Sequence, residues 1–254
     1  MVYLRSITRK NLDWADCPVH LKKIIDVAKT IEFSSNITFF TGENGSGKST
    51  IIKIIAAGMD AYALGYSGHV TSDPYLNITS KLSELYYFSR TKKARTRMLL
   101  RSEDILGYVK YLNDYEIDNG KETHSSSLKK NSFDNQQLID TINSNQLGIK
   151  SYGQILIELI NNRVHDEGLY LLDEPDTPLS IMNQIILSET IKEKSRNGAQ
   201  FIIATHSPIL LRNKNATIYE FSEDGIKQKQ FDELRSVYLL KRYLSDRDFL
   251  NEEN

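Results

Sequence analysis

Residues Gly42 to Thr50 read GENGSGKST, and Gly42, Gly47, Lys48 and Ser49 stand at the offsets of the G-x4-G-K-S pattern. Glycines let a backbone close around phosphate oxygens where a side chain would clash, and a following helix adds its unpaired amides. In that arrangement Lys48 reaches the β and γ phosphates of a nucleotide, and the Ser49 hydroxyl faces a magnesium ion. Thr50 meets the α phosphate, with Glu43, Asn44, Gly45 and Ser46 completing the cradle. An ordinary glycine turn ahead of a helix would account for Gly45 and Gly47, but not for Lys48 followed by Ser49 and Thr50.

The pattern needs a strand before it and a helix after it, and the flanking residues supply both. Ile37 to Phe40 is an apolar run, and Ile51 to Ala57 reads as a helix start. A second chemical pair closes another apolar run, where Gly168 to Leu172 leads into Asp173, Glu174 and Pro175. A buried strand would thus deliver two carboxylates to the mouth of a sheet, in the manner of a Walker B motif. Asp173 would hold the magnesium ion, directly or through water, and Glu174 would polarise the water that attacks the γ phosphate. The plain alternative is a solvated acidic turn, which does not explain its company with the phosphate loop. A third run, Phe201 to Ala204, ends in Thr205, His206, Ser207 and Pro208. Strands apolar throughout and alternating with helices predict a mostly parallel sheet covered on both faces. Ligands of such sheets lie at the carboxyl ends of the strands, where all three groups would meet.

The chain has 254 residues, enough for one α/β domain that buries a sizeable core, with room for a small insertion. Charged residues make up 26% and hydrophobic ones 40%, and no apolar run approaches the ~20 residues of a membrane helix. The N-terminus lacks the apolar centre of a signal peptide, and Cys17 has no second cysteine to pair with, so a cytoplasmic location is expected. A formal net charge of -1 gives no global field toward nucleic acid, and any such contact would need a local patch.

Residues 2 to 7 alternate as a strand whose buried face is ambiguous, and Trp14 is expected to pack rather than stack on a base. Leu21, Ile24, Ile25, Val27 and Ala28 fit a short amphipathic helix or an irregular strand, and Ser34 to Asn36 a turn. Regular structure looks weak after Gly58, through Gly65, Gly68 and the Ser72 to Pro74 turn, and Arg95 to Leu100 reads as a strand. A helical pattern through Ile105 and Leu112 follows, and residues 116 to 137 are polar enough to predict an exposed loop. Helices are expected after Ser151 and over Ile181 to Lys194, then a hairpin at Ile218 to Lys227 and a helical tail from Val237 to Leu250. No repeat or long heptad segment is visible.

Taken in order, GENGSGKST, SYGQ, LYLLDEPD and IIATHSP resemble the motifs of an ABC-type ATPase over residues 37 to 210. More narrowly, TGENGSGKST, GLYLLDEP with PLS, QFIIATHSPILL and SEDGI are similar to a family of small, stand-alone bacterial ATPases. The resemblance implies a P-loop fold of ABC type for the whole chain. Its parts would be a central, mostly parallel sheet flanked by helices, an antiparallel N-terminal β portion, and a helical subdomain near residues 71 to 165. It implies ATP and Mg2+ as ligands and His206 as the histidine that contacts the γ phosphate, with Lys48, Glu174 and His206 forming the catalytic set. Ser151, Tyr152, Gly153 and Gln154 become the signature motif, with Ser151 and Gly153 binding the γ phosphate held by a second copy. The loop from Asp176 to Ser180 takes the place of the one that crosses to the other subunit. Hydrolysis would then need a head-to-tail homodimer.

Two departures qualify the carry-over. ABC ATPases usually place a glutamine where this chain offers Glu103, whose carboxylate could reach magnesium or simply favour a helix start. The signature is SYGQ rather than the transporters' LSGGQ, and PLS stands where they commonly show SALD, differences that point away from transport. The readings that follow are an ATPase whose closure controls a protein effector or a nucleic-acid process, the nucleotide-binding subunit of a membrane transporter, and a slow ATP sensor.

Overall fold

A computed structural model describes residues 2–12, 17–63, 77–102, 104 and 152–246. Trp14, Glu103, Ser151, the pattern through Ile105 and Leu112, the polar stretch 116 to 137 and the end of the C-terminal tail lie outside the described residues.

Seven strands form the main sheet. In spatial order they are β10 (Gly225–Lys229), β9 (Thr217–Ser222), β3 (Ile37–Gly42), β8 (Gln200–Ala204), β7 (Gly168–Asp173), β6 (Thr96–Arg101) and β4 (Tyr62–Ala63). All neighbours are parallel except β10, which folds back on β9, so the expected terminal hairpin is joined to the sheet through β9 beside β3. A second, antiparallel sheet holds β2 (Thr30–Glu32), β1 (Leu4–Arg9) and β5 (Tyr86–Arg90).

Alternation along the strands sends side chains to two cores. Phe40, Leu99, Leu169, Leu171, Ile202 and Phe221 face one, while Phe39, Leu100, Tyr170, Leu172, Phe201 and Ile218 face the other. Because both faces are covered, the central strands read as continuous apolar runs. The first core takes α1 (Val19–Val27) and α2 (Lys48–Gly58), with the antiparallel sheet beyond them. Helix α2 buries Ile51, Ile52, Ile54, Ile55, Ala56 and Ala57, and a helix apolar on every side is stable only where it is enclosed. Its isoleucines are mediocre helix formers, so packing rather than propensity sets this element. Of the second core's helices, α4 (Tyr152–Arg163) and α5 (Ile181–Arg196) pack on each other.

Where regular structure looked weak after Gly58, the described residues hold β4; beyond that stretch come α3 (Asn77–Ser83) and β5. The last escapes notice because it is an edge strand in which only Tyr86 is fully buried. The ambiguous face of the first strand has a cause too. A register shift between Leu4 and Ser6 lets Leu4 and Ile7, three positions apart, both point inward.

One buried amide ties β8 to the antiparallel sheet, in addition to the Tyr219 hydroxyl, which donates to the Glu32 carbonyl at 2.8 Å. Gln200, fully buried at the start of β8, accepts from the backbone N–H groups of Tyr3 and Leu4 at 2.8 and 2.9 Å and donates to the Leu4 carbonyl at 2.9 Å. Its side chain acts as one more peptide unit for β1. Gln200→Leu would strand two donors and an acceptor away from water, and should lower the unfolding free energy by about 3 kcal/mol, read from urea titrations. An unchanged midpoint would show that β1 is held by its other contacts.

Candidate phosphate-binding site

The carboxyl ends of β3, β7 and β8 are tied before any side chain is considered. Thr205 donates its backbone N–H to the Phe40 carbonyl at 3.0 Å, and Glu174 donates to Ala204 at 2.9 Å. Each strand therefore hands its chemical residue to the same edge.

The loop after β3 is shaped by glycines. Gly42 has φ +127°, and a Cβ there would stand 2.1 Å from the Phe221 carbonyl oxygen on β9. Gly47 has φ +98°, and a Cβ would fall 2.6 Å from the Ile24 side chain of α1. A strand on one side and a helix on the other thus press the loop into its curve. Helix α2 begins at Lys48, so its free N-terminal amides open onto the loop.

Lys48 is 4% exposed, and its ammonium donates to the carbonyls of Gly42 at 2.9 Å and Glu43 at 2.7 Å. Burial lowers its pKa, against the opposing pull of Glu174 and Asp173. Ser49 donates to Asp173 Oδ1 at 2.8 Å, and Lys53 lies 4.0 Å from Asp173 Oδ2. The carboxylate is 7% exposed and, with the Ser49 hydroxyl, presents hard oxygen donors that suit Mg2+.

Glu174 holds φ +51°, rare for a residue with a side chain and costly by about 1–3 kcal/mol. The turn directs its carboxylate toward His206, with 4.0 Å between Oε1 and Nε2. His206 has its pKa lowered by burial and then by Lys48, with Glu174 and Asp176 opposing. That favours a neutral imidazole, which has one donor and one acceptor nitrogen.

The signature residues are only partly within view. Tyr152 opens α4, Gly153 is buried, and Gln154 is exposed. A Cβ on Gly153 would lie 2.4 Å from Asn183 Nδ2 and 2.9 Å from Leu179 Cδ2, so this glycine lets α4 press against the 176–180 loop of the same chain. The resemblance to ABC ATPases implies only an anion contact for it.

The sequence assigns no site role to Thr205, Lys53 or Gln184, and places Asp176 only at the start of the 176–180 loop. Thr205 donates to Asp176 Oδ1 at 2.5 Å across 29 positions of chain. Both residues flank motif positions, yet nothing in their spacing joined them.

These residues on the carboxyl edge of a mostly parallel sheet, with a second antiparallel sheet behind α2, have the P-loop fold of ABC cassettes. The family follows from the sequence match, in which the AAA domain model covers residues 23–253, and the chain belongs to that family. It is 25% identical over 191 residues to an uncharacterized ABC transporter ATP-binding protein of Methanocaldococcus jannaschii. That match takes in 73% of this chain but 63% of the relative, so the chain spans under two thirds of its length. Among solved structures it is similar to a nucleotide-free ATP-binding cassette from an ABC transporter, with TM-score 0.52 and 16% identity over 97% of this chain and 96% of that one. A cassette of Clostridium perfringens, part of the cbiONQ transporter complex, gives TM-score 0.50 and 13% identity over 96% of each chain. No described helix is long and apolar enough to cross a membrane.

Asp176 offers a check on the site's electrostatics, because burial raises its pKa and Glu174 pushes the same way, against the Thr205 hydrogen bond. The folded chain therefore keeps this proton to higher pH than the unfolded chain does, and ionising Asp176 costs stability as pH rises. Asp176→Asn should match or exceed the wild-type Tm at pH 7, and the difference should vanish as pH falls below the ordinary 3.8. A variant less stable at pH 7 than at pH 4, relative to wild type, would reverse that sign.

Proposed function

We propose that the chain hydrolyses ATP at sites shared by two copies in a head-to-tail homodimer, and that closure on ATP and reopening after hydrolysis control a partner effector. What carries the reading is the cis half of a site on one sheet edge. Lys48 and the loop stand ready for the β and γ phosphates, and Glu174 and His206 lie beside the place where the γ phosphate would end. Gly42 to Thr50 would supply amides and hydroxyls, and Lys48 the charge. Ser49 and Asp173 would hold Mg2+, which when bound neutralises charge on the phosphate oxygens. Glu174 would orient and polarise the attacking water, while His206 donates a hydrogen bond to the γ phosphate. Ser151 and Gly153 of the other copy would complete the ring of donors, and Glu103 would stand where the family's usual glutamine contacts the metal shell.

A γ phosphate present before hydrolysis and gone after it can shift a two-state assembly only through contacts made in one state alone. Contacts from Lys48, His206 and the opposite Ser151 have that property. A protein effector is the expected partner and nucleic acid a further one, in a soluble, cytoplasmic and non-transporter setting.

Nucleotide-binding duty in a membrane transporter is a second reading, favoured by the transporter setting of the similar proteins. It requires an integral membrane protein docked on the segment between Thr71 and Asn145, and co-purification from membranes would establish it. A slow ATP sensor would instead bind and dimerise with little turnover.

Glu174→Gln discriminates these mechanisms. Single-turnover hydrolysis should fall by at least ~100-fold, the scale of losing a general base, while ATP remains bound. Sedimentation with Mg-ATP should then show the variant as a dimer and the nucleotide-free protein as a monomer. A variant that hydrolyses ATP normally, or that neither traps ATP nor dimerises, would overturn the mechanism.

A further inference from the structure

Gln184, in the first turns of α5, makes hydrogen bonds that its place in the sequence does not announce. Its Oε1 accepts from Ser207 Oγ at 2.7 Å, and its Nε2 donates to the carbonyls of Leu179 at 3.0 Å and Asp176 at 3.5 Å. The amide orientation is forced. Ser207 Oγ already accepts from the backbone N–H groups of Ile209 and Leu210, at 3.2 and 3.3 Å, so its single proton goes to an acceptor.

The bonds close into a ring. Thr205 Oγ1 donates to Asp176 Oδ1 at 2.5 Å and accepts from the Ser207 backbone N–H at 3.0 Å. Ser207 returns to Gln184, and Gln184 to the backbone of Asp176. Thr205 is fully buried and Ser207 5% exposed, so water has little access to replace these partners.

The ring brackets His206 and adjoins Glu174, the half-exposed partner of the hydrolytic site. His206 sits between Thr205 and Ser207, clamped on both sides while its own ring is free of the network. Glu174 stands two residues before Asp176 in a turn closed by the Thr177 N–H on the Glu174 carbonyl at 3.2 Å. The ring adds polar ties between two loops from different strands, beyond the packing of the helices that follow them.

We infer that Gln184 is a positioning residue for ATP hydrolysis, holding the Glu174 turn and the His206 loop in one fixed relation through Ser207 and the carbonyls of Leu179 and Asp176. It touches neither nucleotide nor reacting atoms. Its effect falls on the rate of the chemical step and not on ATP affinity, since the Gly42 to Thr50 loop lies outside the ring. A misplacement of about 1 Å in such a pair is costly to kcat.

The inference rests on Glu174 and His206 as the hydrolytic pair, and the test separates the two. Single-turnover rates, equilibrium Mg-ATP affinity and Tm are measured for wild type, Glu174→Gln, Gln184→Leu, Ser207→Ala and the Gln184→Leu/Ser207→Ala double variant. Thr205→Val is added as a near-isosteric opening of the ring from its other side. Gln184→Leu and Thr205→Val should each slow hydrolysis by ~10-fold with ATP affinity held within about twofold. The double variant should be slower by less than the product of the two single losses, because both substitutions remove the shared Gln184–Ser207 bond. If Glu174→Gln is inactive while Gln184→Leu and Thr205→Val turn over at the wild-type rate, the positioning role fails and the pair survives. Rate and affinity falling together, or multiplicative losses in the double variant, would also overturn it. Normal hydrolysis by Glu174→Gln would remove the pair itself.

Discussion

Everything at this site depends on keeping one ammonium group almost out of water. A buried charge is tolerated only with compensating partners, and before nucleotide arrives Lys48 has the carbonyls of Gly42 and Glu43 as its ligands. Those carbonyls turn inward only because Gly42 takes a φ that a side chain would forbid while lying against Phe221. The loop's shape is therefore as much a product of β9 as of its own glycines. The carboxylates of Asp173 and Glu174 offset part of the desolvation, which ties the end of β7 electrostatically to the start of α2. A phosphate anion entering this place meets a cation whose solvation has already been given up, the condition under which such contacts are strongest.

The parts legible in the sequence were those in which chemistry and periodicity coincide. GENGSGKST between an apolar run and a helix, and LYLLDEPD at the end of another run, specify residue types, spacing and flanking elements together. The structure brings Lys48, Ser49, Asp173, Glu174 and His206 to one edge, as that coincidence implies. What stayed hidden was long-range polar pairing. Gln200 looks like an ordinary polar residue at a strand start, yet it binds the backbone of β1 across 196 and 197 positions. Thr205 with Asp176 and Gln184 with Ser207 are hidden for the same reason, since periodicity reports which face a residue occupies and not which amide it meets. Edge strands such as β5 fail differently, because burial on a single residue leaves too weak a pattern.

Gly153 meets a packing demand within one chain. A Cβ there would make the ends of the Asn183 and Leu179 side chains give way, so a glycine lets the helix start lie closest to them. Its presence in SYGQ is thus explained by packing within one chain even before a second copy is considered. The same contact places the signature helix against the loop that leads from Glu174 into α5, so neither can shift far without displacing the other.

Strain at Glu174 completes the argument. A positive φ on a residue with a side chain persists only where the surroundings over-determine it. Here the Glu174 N–H is held by Ala204, its carbonyl accepts from Thr177, and Asp176 beyond it is bound by Thr205 and Gln184. Relaxed geometry would carry the carboxylate away from His206 and the phosphate loop. The hydrogen bonds around the turn therefore offset a conformation that contributes nothing to folding and whose consequence is the position of one carboxylate.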